Sequence, residues 1–578
     1  MDARPVSGVG PWAGPDHTRT AGVGPRGARA DRGSLAALTG EALRIVARIL
    51  RGMPAARDRR ALLAVLAAVF IAAVAVAASA IRPWIAAPLA FDTAASVLHF
   101  DRIVSGHHLE EALSTTPKPL LTVLYGLLYS ATGDWRAISI AALGAWGLCV
   151  ASASLLAWRV GGLAAAVFAG VSLVLSPRLL LETSWALGSV WALLLWIVAG
   201  LAVTGRRPRW GIAGAALGLA ALARLETFLV IGLALAVLAV LRFGPARWRR
   251  PLPAGAWRIS IGLLALPVMC LHDLLLTGDP FFWTSVAASY SATAESAGRL
   301  PDLTAVARDL ADLVAGQVAV TVLAVIGVVV LAVRARWSIL VGVLALGPGM
   351  AAFLLVLAAR HTFVDPRYLV PISVALIFAA AVGLSAVRVP DLAPLVGRVR
   401  SLGAWSARDR SIASLATVSL VAAALAIAFA PAIGPLDRAT RVTIASARHV
   451  ARTADRAMPR IRTALADPAG AGSGSGAAAG GTGTPAALIV VPVAIRPRVA
   501  VELDRPLGQV GSYRDLAAWA SGAPATGQLL LVDVDPSAPA TATAGFRLSA
   551  PGTVDGVRLV PLLSDAANGA FLLQVAGP

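Results

Sequence analysis

Charged residues and cysteines are both scarce in this 578-residue chain. Charged residues make up only 14% of it, cysteines number two, and the 50 lysine and arginine residues include a single lysine, Lys118. Cys149 and Cys270 lie inside apolar runs, so the sequence predicts neither a disulfide framework nor a cysteine-based metal site. So low a content of charge excludes an ordinary soluble globular chain.

Apolar residues, by contrast, are abundant. They account for 57% of the chain, and the mean hydropathy is +0.76. Many apolar runs are long enough to cross a hydrocarbon layer about 30 Å thick, and they lack the alternation of barrel strands. The formal charge of +19 comes from arginines between these runs, where basic residues orient membrane helices, so no nucleic-acid partner is expected. The sequence predicts an all-α polytopic protein whose partner is the lipid bilayer.

Length and hydropathy predict about eleven transmembrane helices. A further apolar segment, residues 118–132, is shorter than a comfortable span and begins with Pro-Lys-Pro, so we interpret it as a helix lying in the membrane interface. The predicted spans are 61–82, 135–158, 162–178, 185–203, 210–223, 226–241, 258–276, 316–333, 337–358, 368–387 and 412–430.

The charge of the loops orients these spans. One set of loops, including 206–209, 242–258 and 388–410, is rich in arginine, and the positive-inside bias places it in the cytosol. The opposite set, including 83–134 and 277–315, carries more acidic than basic residues. The prediction is a multi-pass protein of the inner (plasma) membrane with a cytosolic N-terminus and chemistry on the outer side.

Composition divides the chain into four regions. Residues 1–60 hold eleven arginines against five acids and are predicted to be a disordered cytosolic tail. Residues 61–430 form the transmembrane region with its outer loop 83–134, and 431–485 combine an amphipathic stretch with a Gly/Ala/Ser/Thr linker. Residues 486–578 are predicted to be a small extracytoplasmic α/β domain, with strands at 488–491 and 529–534 and a helix at 512–520.

The first outer loop places acids and a cation at the membrane surface. Asp92 follows the first span, Asp101 comes later in the loop, and Lys118 lies between two prolines. A carboxylate beside an apolar face is partly desolvated and can serve as a general base for a hydroxyl group. A compact ammonium at headgroup depth suits a phosphate group. The alternative interpretations are a solvated loop acid and a lysine retained by chance.

Six segments in the predicted loops form an ordered set. They are Asp92 with Gly106; Pro117-Lys118-Pro119-Leu120; Leu175-Ser176-Pro177 with Glu182; Leu222-Ala223-Arg224-Leu225-Glu226; Thr277-Gly278-Asp279-Pro280; and Arg367-Tyr368-Leu369-Val370-Pro371. In this order they resemble the motifs of the GT-C superfamily, polytopic glycosyltransferases such as protein mannosyltransferases and aminoarabinose transferases. Members of that family move a sugar from a polyprenyl-phosphate carrier to an acceptor outside the membrane. The chain departs from the pattern at Thr93, where many relatives carry a second acid.

The resemblance implies catalytic roles for three carboxylates. Asp92 is expected to be the general base that deprotonates the acceptor, and its alternative is a structural cap of a helix. Asp101 is the substitute, although pairing with Arg102 or water is the simpler interpretation of it. Glu182, placed in a short loop between two spans, would orient the acceptor or help to hold a cation, or else is a solvated loop acid.

The other candidate residues would hold the lipid carrier or line the substrate pocket. Lys118, Arg367 and Arg224 are expected at the phosphate or the carrier. Glu226, His361 and Tyr368 are candidates for the substrate pocket. An internal salt bridge between Arg224 and Glu226, and interfacial anchoring by Tyr368, are the structural alternatives.

The function implied by the resemblance is an inverting membrane glycosyltransferase. Its partners would be a polyprenyl-phosphate sugar donor and a glycan, lipid or protein acceptor. The cofactor is unknown, with a divalent cation as the one candidate. His107 and His108 lack a third spaced ligand, so no metal site is predicted there. The rival functions are a transporter or flippase of lipid-linked glycans, and a membrane anchor that presents residues 486–578.

Overall fold

The computed structural model describes just over half of the chain, and all of the described residues belong to one compact unit. The tail 1–60, the predicted spans 61–82 and 412–430, and the linker 466–485 lie outside the described residues. The described residues are 91–109, 116–205, 207–243, 255–286, 288, 303–315, 318–334, 336–360, 362, 368–385, 455–465, 489–491, 495–506, 509–512, 529–533, 553–554, 557–565 and 570–577.

Most of the described residues are helical. The helices are α1 (Phe91–Ser105), α2 (Pro119–Thr132), α3 (Trp135–Val174), α4 (Pro177–Ser184), α5 (Gly188–Val203), α6 (Trp210–Ala223), α7 (Thr227–Phe243), α8 (Ala265–Thr277), α9 (Leu303–Ala315), α10 (Val318–Val333), α11 (Trp337–Leu344), α12 (Met350–Ala359) and α13 (Leu369–Leu384). A 3₁₀ helix, Ala256–Leu264, leads directly into α8, and a π-helical segment, Ala345–Gly349, joins α11 to α12.

Helices occupy the described positions at which apolar spans are predicted. The predicted spans 135–158 and 162–178 correspond to α3, which is bent where Gly162 adopts a positive φ of 79°. Three helical segments are long and apolar enough to cross a membrane, or four if a bent pair counts as one span, and only described residues enter that count. Five shorter apolar helices accompany them. The polytopic helical class is therefore supported, whereas the number of spans stays a prediction.

Local sequence explains how α2 and α3 begin and end. Pro119 opens α2, where its missing N–H is no loss, and Gly133 ends the helix in the left-handed conformation, with φ 65°. The side chain of Asp134 then accepts the N–H of Arg136 at 2.9 Å and caps α3. The chain thus turns sharply between α2 and α3.

The turns fall into two groups that match the loop charges. Arg159 donates to the carbonyl of Leu201, and Arg334 donates to the carbonyl of Val160, so turns predicted to be cytosolic lie together. The turns before α2, after α4 and before α7 form the second group and meet at a separate part of the structure. The grouping agrees with the predicted alternation of the helices.

The C-terminal strands form a mixed sheet. They are β1 (Ile489–Val491), β2 (Val510–Ser512), β3 (Leu529–Asp533), β4 (Thr553–Val554), β5 (Val557–Asp565) and β6 (Ala570–Gly577), in the spatial order β2-β1-β3-β6-β5-β4. β1 pairs in parallel with β2 and β3, whereas β3, β6, β5 and β4 pair antiparallel.

A short helix joins this sheet to the membrane region. It is α14 (Arg496–Glu502), between β1 and β2, and the prediction did not include it. The helix predicted at 512–520 is wrong at its first residue, since Ser512 ends strand β2, and the rest of it lies outside the described residues. α14 shares an apolar core with α1. Trp135 donates to the Glu502 carboxylate at 3.0 Å, and Arg102 donates to the carbonyl of Arg505 at 2.8 Å. The sheet is therefore coupled to the helix that carries Asp92.

Candidate active site

Asp92 and Lys118 form an ion pair. Asp92 lies in the first turn of α1, and Lys118 is the residue that precedes α2. Lys118 Nζ lies 3.2 Å from Asp92 Oδ2, and both side chains are less than one fifth exposed. The ammonium and the carboxylate predicted to carry the chemistry are thus in direct contact, although 26 positions separate them in sequence.

Thr93 has a structural role that explains the departure from the family pattern. Its buried hydroxyl donates to the carbonyl of Trp185 at 2.9 Å and is within 3.2 Å of the carbonyl of Ala186. Tyr125 donates to the same Ala186 carbonyl at 2.7 Å, and Ala186 itself has a positive φ of 51°. An acid at position 93 would face these carbonyl oxygens and repel them. The donor hydroxyl instead fastens α1 to the turn after α4.

Arg224 and Glu226 form the second ion pair of the site, in the turn between α6 and α7. Arg224 Nη2 lies 2.9 Å from Glu226 Oε1, and Arg224 Nε lies 3.2 Å from Oε2, so the contact is bidentate. The guanidinium also donates to Ser189 and lies 5.1 Å from the ring centre of Tyr368. The internal salt bridge, which is the structural alternative for this pair, is therefore present, and Tyr368 belongs to the same cluster.

Close packing brings this turn to α2 and α5. A Cβ on Gly188, the first residue of α5, would lie 2.6 Å from the carbonyl oxygen of Ala223 and 3.2 Å from Leu121. Only glycine permits this approach. Lys118 is close enough to Glu226, and Glu182 is close enough to Arg224, for their charges to attract each other. The two ion pairs therefore belong to one site.

The placement of Glu182 corrects a prediction. It does not lie in a solvated loop, because residues Pro177–Ser184 form helix α4 and Glu182 is only 2% exposed. Pro177 starts this helix at a position where proline is well tolerated. A carboxylate so deeply buried beside Arg224 is a constituent of the site rather than a loop acid.

Asp101 lies away from this cluster. It is nine residues after Asp92 on α1, which is about 13 Å along the helix axis. Its carboxylate contacts Arg102 at 3.5 Å and its side chain is 43% exposed, as the simpler interpretation predicts. The pKa of Asp101 is raised, because the effect of burial exceeds the opposing effect of the nearby Arg102 charge.

His361 and Arg367 lie outside the described residues. Their proposed contacts with the substrate or the phosphate stay predictions. Tyr368, the residue that directly follows Arg367, precedes α13 and lies against Arg224.

The described side chains do not fit a divalent cation. Among the described residues, no group of three or more His, Cys, Asp or Glu side chains is arranged to hold a metal ion. The carboxylate of Asp92 faces the Lys118 ammonium, and that of Glu226 faces the Arg224 guanidinium. We therefore derive no step from a metal.

A second polar cluster beside the ion pairs was missed by the sequence interpretation. His99 lies two turns after Asp92 on α1, and its ring packs edge-on against that of His272 on α8, with 6.3 Å between ring centres. Burial, followed by the charges of His272 and Lys118, lowers the pKa of His99 to about 3, so His99 is neutral at pH 7. His272 and Asp273, two ionisable residues in one predicted span, were the signal that would have found this cluster.

An apolar cavity of about 780 Å³ lies within the helix bundle. Its lining includes Val230, four residues after Glu226, and continues along α7 to Leu241, a distance of about 16 Å. Trp196, Trp337 and other apolar side chains of α3, α5, α6, α11 and α13 complete its walls. The cavity therefore extends from close to the Arg224–Glu226 turn toward the opposite ends of the helices.

Comparison with known proteins gives two structural matches. No family model and no curated protein sequence matches the chain. The two matches are crystal structures of ArnT from Cupriavidus metallidurans. The form bound to undecaprenyl phosphate is 15% identical, with a TM-score of 0.41, and covers 91% of this chain and 100% of its own. The apo form is 17% identical, with a TM-score of 0.42, and covers 87% and 98%.

Replacing Glu226 by alanine is expected to lower the free energy of unfolding by about 3–5 kcal/mol, because it leaves the buried Arg224 guanidinium without its carboxylate. Unfolding of the detergent-solubilised protein measures this. Asp134→Ala is the control, since Asp134 is exposed and caps α3, and it should lose only about 1 kcal/mol. Equal losses in the two variants would show that Arg224 does not depend on Glu226.

Proposed function

We propose that this chain is a membrane glycosyltransferase that moves a sugar from a polyprenyl-phosphate carrier to an acceptor on the outer side of the membrane. The observation that carries the proposal is the ion pair of Lys118 and Asp92. It holds a cation suited to phosphate beside a carboxylate suited to accept a proton, among apolar helices.

In the proposed reaction, an acceptor oxygen attacks the anomeric carbon of the sugar, and the bond from that carbon to the phosphate oxygen breaks. Asp92 accepts the proton of the acceptor hydroxyl, and the polyprenyl phosphate leaves with the bonding electron pair. Lys118 stabilises the negative charge that increases on the phosphate. Attack from the face opposite the phosphate inverts the anomeric configuration, as the GT-C resemblance implies.

The carrier's apolar chain would enter the cavity. A phosphate near Lys118 and Arg224 lies at the end of α7 from which the cavity extends, and the cavity walls are apolar. Arg224 is already bound to Glu226 and Ser189, so its proposed part is to shape the pocket and to add positive charge rather than to release Glu226.

Glu182 is proposed to orient the acceptor. It is buried near Arg224, and a buried carboxylate can accept a hydrogen bond from an incoming hydroxyl. The acceptor is proposed to be an extracytoplasmic glycan, lipid or protein. The sheet region, packed on α1, would border its path.

The orientation belongs to the proposal, with the N-terminus in the cytosol and the sheet region outside. In a variant with Cys149 and Cys270 replaced by alanine, Thr132→Cys is expected to react with an impermeant maleimide in right-side-out vesicles. Arg207→Cys should react only after lysis, because it lies in an arginine-rich loop. Both positions are exposed, so access differs only by the side of the membrane. Labelling in the opposite order would invert the proposed topology.

The activity test uses the purified chain with a panel of polyprenyl-phosphate hexoses and pentoses that carry a labelled sugar. Glycan, lipid and peptide acceptors are offered, and the products are labelled acceptor and free polyprenyl phosphate. Transfer from at least one donor is expected. Movement of the labelled carrier across proteoliposomes, without transfer from any donor, would overturn the proposal in favour of a flippase.

A further inference from the structure

A buried histidine–aspartate pair lies near the end of α8. His272 Nδ1 is 3.1 Å from Asp273 Oδ1, and His272 Nε2 is 3.2 Å from the hydroxyl oxygen of Thr122 on α2. His272, Asp273 and Thr122 are 6%, 0% and 1% exposed. These contacts join α8 to the helix that Lys118 precedes.

The hydrogen bonds of Asp273 show which nitrogen of His272 faces it with a proton. Asp273 Oδ2 accepts the backbone N–H of Trp283 at 2.8 Å, so this carboxylate acts as an acceptor on both oxygens. His272 therefore donates through Nδ1–H to Asp273, and its Nε2 forms the hydrogen bond with the Thr122 hydroxyl. The result is a chain of hydrogen bonds that joins Thr122 on α2, through His272, to Asp273, which also accepts the Trp283 N–H.

Thr122 is one helical turn after Lys118. The N–H of Thr122 donates to the carbonyl of Lys118 at 2.9 Å, which closes the first turn of α2. Pro117 and Pro119 restrict the backbone on both sides of Lys118, so the position of Lys118 follows that of this turn. The hydrogen bond between Thr122 and His272 thus helps to fix the position of Lys118, which carries the ammonium.

We propose that His272 and Asp273 are positioning residues that hold Thr122, and through the first turn of α2 hold the Lys118 ammonium where it meets the donor's phosphate. This inference rests on the proposed function. The order Asp–His–Thr is also that of a nucleophilic triad, but Thr122 lies one turn after Lys118 on the same helix, so we assign the pair to the position of Lys118. The pair therefore acts through Lys118.

The test removes the Thr122 hydroxyl at constant shape. Thr122→Val is expected to weaken the binding of undecaprenyl phosphate to the purified full chain by about 3–10-fold, the effect of one neutral hydrogen bond. kcat at saturating donor should change less than about twofold, because the bound donor restores the position of Lys118. Thr122→Ser and His272→Gln, which keep a hydroxyl and an acceptor near Nε2, should bind close to the wild type.

Ser154→Ala is the matched control. Ser154 is buried and donates to the carbonyl of Val150 within α3, away from Lys118. It should lose a similar amount of stability and leave carrier binding unchanged. Equal weakening in Ser154→Ala and Thr122→Val would overturn the inference, since it would show a general effect of lost stability.

A double-mutant cycle separates positioning from stability. In the Lys118→Ala background, Thr122→Val should cause no further loss of carrier binding, because no ammonium is left to position. Losses that add would overturn the inference. Failure of the wild-type chain to bind undecaprenyl phosphate would overturn the proposed function itself, whereas normal wild-type binding with unchanged binding in Thr122→Val would overturn only the role of the pair.

Discussion

The Asp92→Asn variant is expected to transfer sugar about 10²–10⁴ times more slowly than the wild type while it still binds the donor. Asparagine keeps the size and the hydrogen-bonding capacity of the side chain but cannot accept the acceptor's proton. It also removes the negative charge beside Lys118. Donor affinity should therefore stay equal or increase, because the phosphate no longer competes with Asp92 for the ammonium. Initial rates and donor binding, measured separately, reveal this split.

Asp101→Asn is the matched control for Asp92. It makes the same chemical change on the same helix, at a carboxylate that pairs with Arg102 rather than with Lys118. Its rate is expected to stay within about threefold of the wild type, since it loses only a partly exposed ion pair. A slow Asp101→Asn with a fast Asp92→Asn would exchange the two roles and remove the mechanism proposed for Asp92.

In the loop 83–134, the sequence predicts which residues carry the chemistry but not the contacts between them. Asp92 was singled out by its place after an apolar run, and Lys118 because every other residue of its charge is arginine. Their contact depends on α1 packing against α2, which a single sequence does not specify. The resemblance did indicate that both belong to one site, and the 3.2 Å contact agrees with it.

Glu182 and His272 show why other parts of the site were hidden. α4 has only eight residues, too few for a helical period to stand out from a loop, so the sequence places Glu182 in a loop and leaves a functional and a solvated acid equally open. His272 and Asp273 lie in a run that is otherwise so apolar that hydropathy predicts only a membrane span there. Thr122 has no distinctive chemistry until His272 is beside it. Helices in lipid were predictable because hydropathy sets them, whereas polar pairs depend on tertiary packing.

The C-terminal sheet is a further case in which the sequence predicts elements but not their pairing. The apolar runs at β1 and β3 were recognised, but β3 pairs with β6, about 40 residues later. Such non-local pairing, and the contact of α14 with α1, follow from side-chain packing between distant segments. The short strands alone did not contain that information.

Replacing Lys118 by alanine is expected to raise the dissociation constant of undecaprenyl phosphate by about 10–100-fold, because a charge-assisted hydrogen bond to phosphate contributes about 1.5–3 kcal/mol. kcat should fall as well, since the ammonium also stabilises the leaving phosphate. Titration with undecaprenyl phosphate gives the affinity, and initial rates at saturating donor give kcat. Arg136→Ala is the control: it removes an exposed cation from the first turn of α3 and should change neither value by more than about twofold.

The carboxylate of Asp92 beside Lys118 leads to a further expectation for the variant without the ammonium. Without the ammonium, the carboxylate of Asp92 and the donor's phosphate would repel each other across the site. The double variant Lys118→Ala/Asp92→Asn is therefore expected to bind undecaprenyl phosphate more tightly than Lys118→Ala alone, although it stays inactive in transfer. Recovery of binding without recovery of activity would separate the two roles of the ion pair, phosphate binding by Lys118 and proton acceptance by Asp92. Equal binding by the single and double variants would mean that the phosphate lies elsewhere than beside Asp92.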